Sequence, residues 1–460
     1  MPVLFFLILS MNSIAFAKGS LFSRTPPVNA ECQTFIDSIK DNYTFGWIET
    51  AINYQVSNSE KQNVFYYYKN TDQIKNPVLY FNGGPGASSH YSHLLFETTR
   101  KKFGLTENIN YIFMDQRGTG CSSPGFTSGY SIKTLENLKW SASLGIVQDA
   151  EILRQHLLGK NTRWKIFGQS FGSYIVYRYI EKFPNSISKA YAHGYALGNS
   201  DYDASYYRIL SQQTVLEKYF KLFPVDRNRL TILNKYLSDS QKCFLNIHNQ
   251  ELCGYEILLP FINLLGFSTE WTSLHVYLQR IVPEKLVDET ALKNYVSQNV
   301  QGTMIYHDSE KFMSVAENAV YFYNFAGLFD WNNKPNDFLK CSKIYNQIQR
   351  QNPKNGGALL MNECQAPIQY HYNEPIAELL GSKIDLSTNQ FVDIQTVNKN
   401  LIDFKIPLYT YSGELDPFIP KQLFSQQIKL FGTKTNYTHF EFSGHEGFYT
   451  ERKIYLDMAQ

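Results

Sequence analysis

From about residue 45 the chain alternates short apolar runs with apolar residues at helical spacing. "TFGWIETAINYQV" and "NVFYYYKN" read as two strands of a hairpin, joined by the polar "SNSEKQ". "NPVLYF" predicts a buried strand that runs into a glycine cluster, and "NINYIFMD" a second strand ending at Asp115. In "SLGIVQDAEILRQHLLG" the apolar positions Ile146, Ala150, Ile152, Leu153 and Leu157 fall at helical spacing and stop at Gly159. "RWKIF" is then a strand, "SYIVYRYIEKF" a helix ended by Pro184, and "ISKAYAHGYAL" another strand. Strands alternating with helices predict a mostly parallel sheet with crossover helices.

The alternation lapses after residue 199. Residues 200–402 show mostly helical stretches broken by Pro, Gly and Asn, among them "LSQQTVLEKYFKLF", "TSLHVYLQRIV" and "SVAENAVYFYNFAGLF". It resumes at 403–460, where "IPLYTYSGELDPFIP" is a strand with a loop, "QLFSQQIKLF" a helix and "YTHFEFSGHEGF" a strand with a loop. A helical block of about 200 residues is therefore inserted into an α/β domain whose first part runs over residues 30–199.

Composition narrows the function. With 43% hydrophobic and 18% charged residues, the 460-residue chain has ample material for a core. A formal net charge of +2 without a basic run argues against nucleic acid or an anionic membrane surface as partner. Most of the 33 Tyr and 33 Phe belong to core and half-buried surface. Residues 3–11 are almost wholly apolar, and Ala15-Phe16-Ala17 fits a signal-peptidase site, so residues 1–17 read as a signal peptide. The run is too short to span a bilayer, which implies a secreted or periplasmic protein free of the membrane once cleaved. A buried N-terminal strand is the competing reading. The six cysteines form no C-x-x-C pair and so suggest disulfides rather than zinc. Spacing makes Cys243–Cys253 and Cys341–Cys364 local loops, leaving Cys32 with Cys121; free thiols are the alternative.

The chemistry centres on "RWKIFGQSFGSY". A lone G-x-S-x-G recurs by chance, but here it follows an apolar strand and opens a helix, the setting of a nucleophile elbow. Small residues beside the turn explain Gly168 and Gly172, and Ser170 is the candidate nucleophile. A serine hydroxyl needs a base, and the base an orienting acid, in the chain order Ser, Asp or Glu, His. "SGELDPFIP" supplies Asp416 and "FSGHEGF" supplies His445, each in a loop after a strand; Glu414 and His439 are the competing acid and base. An oxyanion hole calls for backbone N–H groups. Those of Gly84, in "LYFNGGPGAS", and of Phe171 are the candidate pair. A phosphate loop is the other reading of such glycines, but no G-K-S/T follows.

The run "NGGPG", "MDQRGTGCSSPG", "GQSFGSY", "SGELDPFIP" and "SGHEGF" resembles the proline iminopeptidases and exported tripeptidyl aminopeptidases over residues 45–199 and 403–450. That resemblance implies an α/β-hydrolase fold with a mostly helical cap inserted over the site. It implies a serine peptidase that releases N-terminal residues from short peptides, with Ser170 as nucleophile, His445 as base and then acid, Asp416 as its partner, and no metal or cofactor. It makes "DQRGTG" a structural turn in which Arg117 pairs internally. Asn82 stands where the family usually has histidine. The cap of such enzymes grips the peptide ammonium with acidic residues, for which Glu317 is the candidate here; a solvated helix-face glutamate is the alternative. Two rival functions stay open: a carboxylesterase or lactone hydrolase on the same catalyst, and a binding protein that has lost catalysis.

Overall fold

The computed structural model describes residues 28, 30–122, 139–197, 214–253, 257–299 and 391–460, less 72, 91, 106–108, 241, 247–250, 258–260, 262–263, 417–418, 420 and 432–434. Helix α1 (Ala30–Ile39) precedes the antiparallel hairpin β1 (Tyr43–Ala51) and β2 (Lys61–Lys69). Then come β3 (Pro77–Phe81), α2 (Ser92–Lys102), β4 (Asn110–Met114), α3 (Ser143–Leu158), β5 (Trp164–Gln169), α4 (Phe171–Lys182) and β6 (Ile187–His193). The inserted block contributes α5 (Asp226–Ser240), the short antiparallel pair β7 (Cys243–Leu245) and β8 (Glu251–Cys253), α6 (Trp271–Ile281) and α7 (Glu289–Asn299). After it follow α8 (Ile394–Asp403), β9 (Leu408–Gly413), α9 (Lys421–Phe431), β10 (Thr435–Phe440) and α10 (Arg452–Ala459).

Eight of these strands form one sheet in the order β1-β2-β4-β3-β5-β6-β9-β10. It is antiparallel across β1, β2 and β4 and parallel from β4 to β10. A parallel strand is covered on both faces, and side chains alternate between them. In β3, Leu79 and Phe81 pack with Ile146, Ala150 and Ile175 of α3 and α4, while Val78 and Tyr80 pack with Phe35 of α1, Phe96 of α2 and Tyr455 of α10. The second face collects much of the aromatic content, with Tyr80 edge-on to Phe96 at 4.8 Å and Tyr67 stacked on Phe113 at 4.9 Å.

Two elements depart from the local pattern. In α3 the buried stripe is Ile146, Val147, Ala150 and Leu153, whereas Ile152 is 39% exposed. Helix α8 lies within the block that the sequence assigns to the insertion, yet Val397 and Leu401 join the core on the α4 side of the sheet. Its Asn400 donates to the carbonyls of Ile180 and Glu181 at the end of α4. The inserted helices build a core of their own from Tyr219, Leu233, Trp271, Leu278 and Val296, into which Leu415 of the sheet domain reaches. Among the described residues no helix is long and apolar enough to cross a membrane.

Covalent and ionic ties hold the sheet's antiparallel end. Cys32 of α1 is bonded to Cys121. Cys243 is likewise in a disulfide, and Cys253 stands opposite it in the β7–β8 ladder; Cys341 and Cys364 lie outside the described residues. Arg117 is 1% exposed and pairs internally. Its Nε and Nη2 donate to the two carboxylate oxygens of Asp149 at 2.7 and 2.5 Å, and the fork also reaches the carbonyls of Ala51, Ile52 and Trp140. One guanidinium thereby joins the hairpin, α3 and the turn after β4. Replacing Asp149 by Asn leaves that buried charge uncompensated, so the variant should lose about 3–5 kcal/mol in urea unfolding. A midpoint equal to wild type would contradict this role.

Candidate active site

The site is built at the carboxyl ends of β3, β5, β6, β9 and β10, where open α/β sheets place their ligands. Ser170 follows β5 and begins α4, with φ 54° and ψ −122°. A non-glycine residue at positive φ is strained by about 1–3 kcal/mol and persists only where its surroundings over-determine it. They do so here. A Cβ on Gly168 would overlap the carbonyl of Gly172, and one on Gly172 would overlap the carbonyl of Phe81 at the end of β3. The strand, the helix and the neighbouring strand meet so closely that neither position admits a side chain. Ser170 N–H donates to the His193 carbonyl at 2.8 Å, and buried Ser173 donates its hydroxyl to the carbonyls of Gly168 and His193 at 2.7 and 2.8 Å.

Beside the elbow, Asn82-Gly83-Gly84-Pro85-Gly86 leaves β3. A Cβ on Gly83 would stand 3.3 Å from that of Ser170. Gly84 has φ 111°. Asn82 ties the loop back on itself, donating to the Ser88 carbonyl at 2.6 Å, while its own carbonyl accepts from Gln116 at 3.2 Å. The Asn82 side chain thus bonds within the loop. Farther along, Asp115 accepts from the backbone and hydroxyl of Ser89, from Cys121 N–H and from His90 Nε2 at 3.0 Å. Burial favours its neutral form, but His90 and Ser89 outweigh this and hold Asp115 below the usual carboxylate range. His90, Asp115 and Cys121 offer ligand atoms within 4.8 Å of one another. The Cys121 sulfur, however, is committed to Cys32.

Asp416 and His445 come together from the loops after β9 and β10. Asp416 Oδ2 lies 2.8 Å from His445 Nδ1, and Oδ1 accepts from Ile419 N–H at 3.2 Å. A carboxylate against Nδ1 keeps the proton on that nitrogen and leaves the lone pair on Nε2. Asp416 is 1% exposed and the His445 side chain 12%. Both approach Gly194, the residue after β6. A Cβ there would lie 3.1 Å from His445 Cε1 and 3.6 Å from Asp416 Oδ2. Gln169 pairs with His193 in the sheet, so β6, whose following Gly194 the pair approaches, lies between the elbow's strand β5 and β9.

The competing acid and base pair with each other instead. Glu414 accepts from His439 Nε2 at 2.7 Å and meets Lys218 and Lys421 at 3.2 and 3.5 Å. Burial raises the Glu414 pKa, but His439 and Lys218 outweigh it and hold the carboxyl below its ordinary range. Glu317 lies outside the described residues.

Residues 76–239 match the family model of the alpha/beta hydrolase fold. The chain has the α/β-hydrolase fold. A proline iminopeptidase of Aspergillus aculeatus is 27% identical over 177 residues, covering 36% of this chain and 38% of that protein. Another, of Aeromonas sobria, is 26% identical over 219 residues, covering 45% of this chain and 49% of that protein. The chain therefore matches less than half the length of either relative. Among solved structures, a proline iminopeptidase of Mycobacterium smegmatis aligns over 90% of this chain and 97% of its own, at TM-score 0.42 and 12% identity, a distant likeness.

Sequence reasoning missed His193 and Glu446. His193 is fully buried behind the pair, and neither ring nitrogen has a hydrogen-bond partner among the described residues. Burial, then the nearby His445, pulls its pKa down to about 3. Unfolding frees it to titrate near its ordinary 6.5, so the unfolded chain binds the extra proton between those values. Stability should therefore fall as pH drops below about 6.5. In His193→Gln the proton uptake on unfolding at pH 5 should be smaller by about one, measured from the pH dependence of urea unfolding. An unchanged uptake would contradict a neutral His193.

Proposed function

We propose that this protein is an exported serine hydrolase that releases N-terminal residues from short peptides through an acyl-enzyme, of the proline iminopeptidase or tripeptidyl aminopeptidase type. The observation that carries the reading is one sheet edge bearing Ser170 on a positive-φ elbow together with the Asp416–His445 hydrogen bond. Ser170 Oγ attacks the substrate carbonyl while His445 Nε2 takes its proton. Asp416, bonded to Nδ1, holds the tautomer and stabilises the imidazolium. The N–H groups of Gly84 and Phe171 receive the oxyanion. His445 then protonates the leaving amine, and water, activated by the same ring, releases the acyl group.

The peptide class is supported by the two relatives, both proline iminopeptidases. The inserted helices restrict entry to small substrates. Export is supported by the apolar N-terminal run with Ala15-Phe16-Ala17 and by the oxidised state of Cys32, Cys121 and Cys243, since structural disulfides belong to oxidising compartments.

A panel of aminoacyl and tripeptidyl fluorogenic amides, with simple esters beside them, tests the substrate class. Turnover of the amides is expected, and ester cleavage without any amide cleavage would replace the peptidase by an esterase. On the best substrate, Asp416→Asn should cost kcat about 10⁴-fold, whereas Glu414→Gln, whose carboxylate serves His439, should stay within about ten-fold of wild type. The reverse ranking would overturn the acid assignment.

A further inference from the structure

The proposed catalytic pair is held from two sides, and the second side belongs to the insertion. Below it lie the sheet ends. Above it runs the segment 264–271, which leads into α6. Leu265 is buried in the insertion's own core, and Trp271 Nε1 donates back to the Leu265 carbonyl at 3.0 Å. Phe267 N–H donates to the Leu264 carbonyl and Glu270 N–H to that of Phe267, closing two consecutive turns.

The segment is also bonded directly to the histidine loop. His445 N–H donates to the Gly266 carbonyl at 3.1 Å. The next residue, Glu446, is fully buried, and its Oε1 accepts from Ser268 N–H at 2.9 Å and Ser268 Oγ at 2.6 Å. Ser268 Oγ also lies 3.2 Å from the Phe442 carbonyl, at the start of the same loop. A side chain at Gly444 would overlap both the Glu446 carboxylate and the Gly266 carbonyl, so the two segments touch along their backbones. The acid loop is fastened to the same unit, because Leu415 packs in the insertion's core while its N–H donates to the Ser443 carbonyl at 2.9 Å.

We propose that Glu446 and Ser268 are positioning residues: the insertion sets the place of the His445 ring through the Ser268–Glu446 clasp, in addition to covering the site. The inference rests on the serine-hydrolase reading above. Burying a carboxylate costs stability unless donors compensate it, and a surface glutamate beside His445 would serve a purely structural loop equally well. Here both donors come from across the boundary with the insertion and serve Oε1, while Oε2 has no hydrogen-bond partner among the described residues. A shift of the insertion by a fraction of an ångström is therefore felt at the His445 backbone, and small misplacements of a catalytic group reduce turnover steeply.

The test compares Ser268→Ala, Glu446→Gln, the double variant and Ser268→Thr in the full chain. Active sites are counted from the burst of p-nitrophenol released from a p-nitrophenyl ester. Ser268→Ala and Glu446→Gln should each lower kcat per active site about 10- to 100-fold, with KM within about two-fold of wild type. The double variant should lose no more than the worse single one, since all three weaken the same clasp. Ser268→Thr, which keeps the hydroxyl, should recover most of kcat. If Glu446→Gln fails to fold, Ser268→Ala carries the test alone, because the Glu446 carboxylate then keeps the Ser268 N–H. Wild-type kcat in Ser268→Ala would overturn the proposal. So would a loss confined to KM, or one accounted for by fewer active sites. A wild type with no Ser170-dependent turnover removes the functional reading itself, and the inference with it; normal wild-type turnover with unaffected variants removes the inference alone.

Discussion

The closeness with which α4 meets β5 and β3 is the constraint on which the site depends. At Gly168 and Gly172 the backbones of all three approach within the space a methyl group would need. No ordinary turn joins strand to helix at that separation, and the chain crosses it with Ser170 at φ 54°. The strain is compensated by the His193 carbonyl of the next strand, which accepts from Ser170 N–H and from the buried Ser173 hydroxyl of α4. The large aromatic and aliphatic layers on the two faces of the sheet keep the three backbones together. A strained residue is thus held by a deeply buried part of the sheet domain.

From that fixed point the other groups follow by sheet order. β6 lies beside β5, and β9 beside β6, so the loops that carry Asp416 and His445 emerge next to the elbow. His193, neutral and without polar partners among the described residues, fills the space behind them. The insertion fastens the same loops from the opposite side through Gly266, Ser268 and Leu415. In the proposed reaction the sheet fixes the nucleophile, and the sheet and insertion together fix its base. In the proposed enzyme this division holds the base from both sides.

Local sequence carried much of this. The β1–β2 hairpin, the parallel strands, the elbow and the loop positions of Asp416 and His445 were legible because each is set by periodicity, glycine placement and chain order. What was not legible depends on contacts between distant residues. Ile152 has the right spacing for a buried stripe, but the stripe is set by where α3 meets the sheet, and Val147 takes the inward position. Helix α8 looks like the end of the insertion because only its packing against α4 assigns it to the core. Glu414 and Asp416 are two residues apart in one loop and equally acidic. They separate only because β10 presents His439 to the first and the following loop presents His445 to the second. Glu446 adjoins His445, but a glutamate reads as surface until Ser268 arrives from 178 residues away.

In the proposed reaction the strained elbow presents the nucleophile. The most direct measurement is active-site labelling with a fluorophosphonate, read by intact mass and then by peptide mapping. One adduct per chain is expected, on Ser170 within the peptide that contains "FGQSFGSY", and none on a folded Ser170→Ala variant. A folded wild type that takes up no label, or takes it up on another residue, would contradict it.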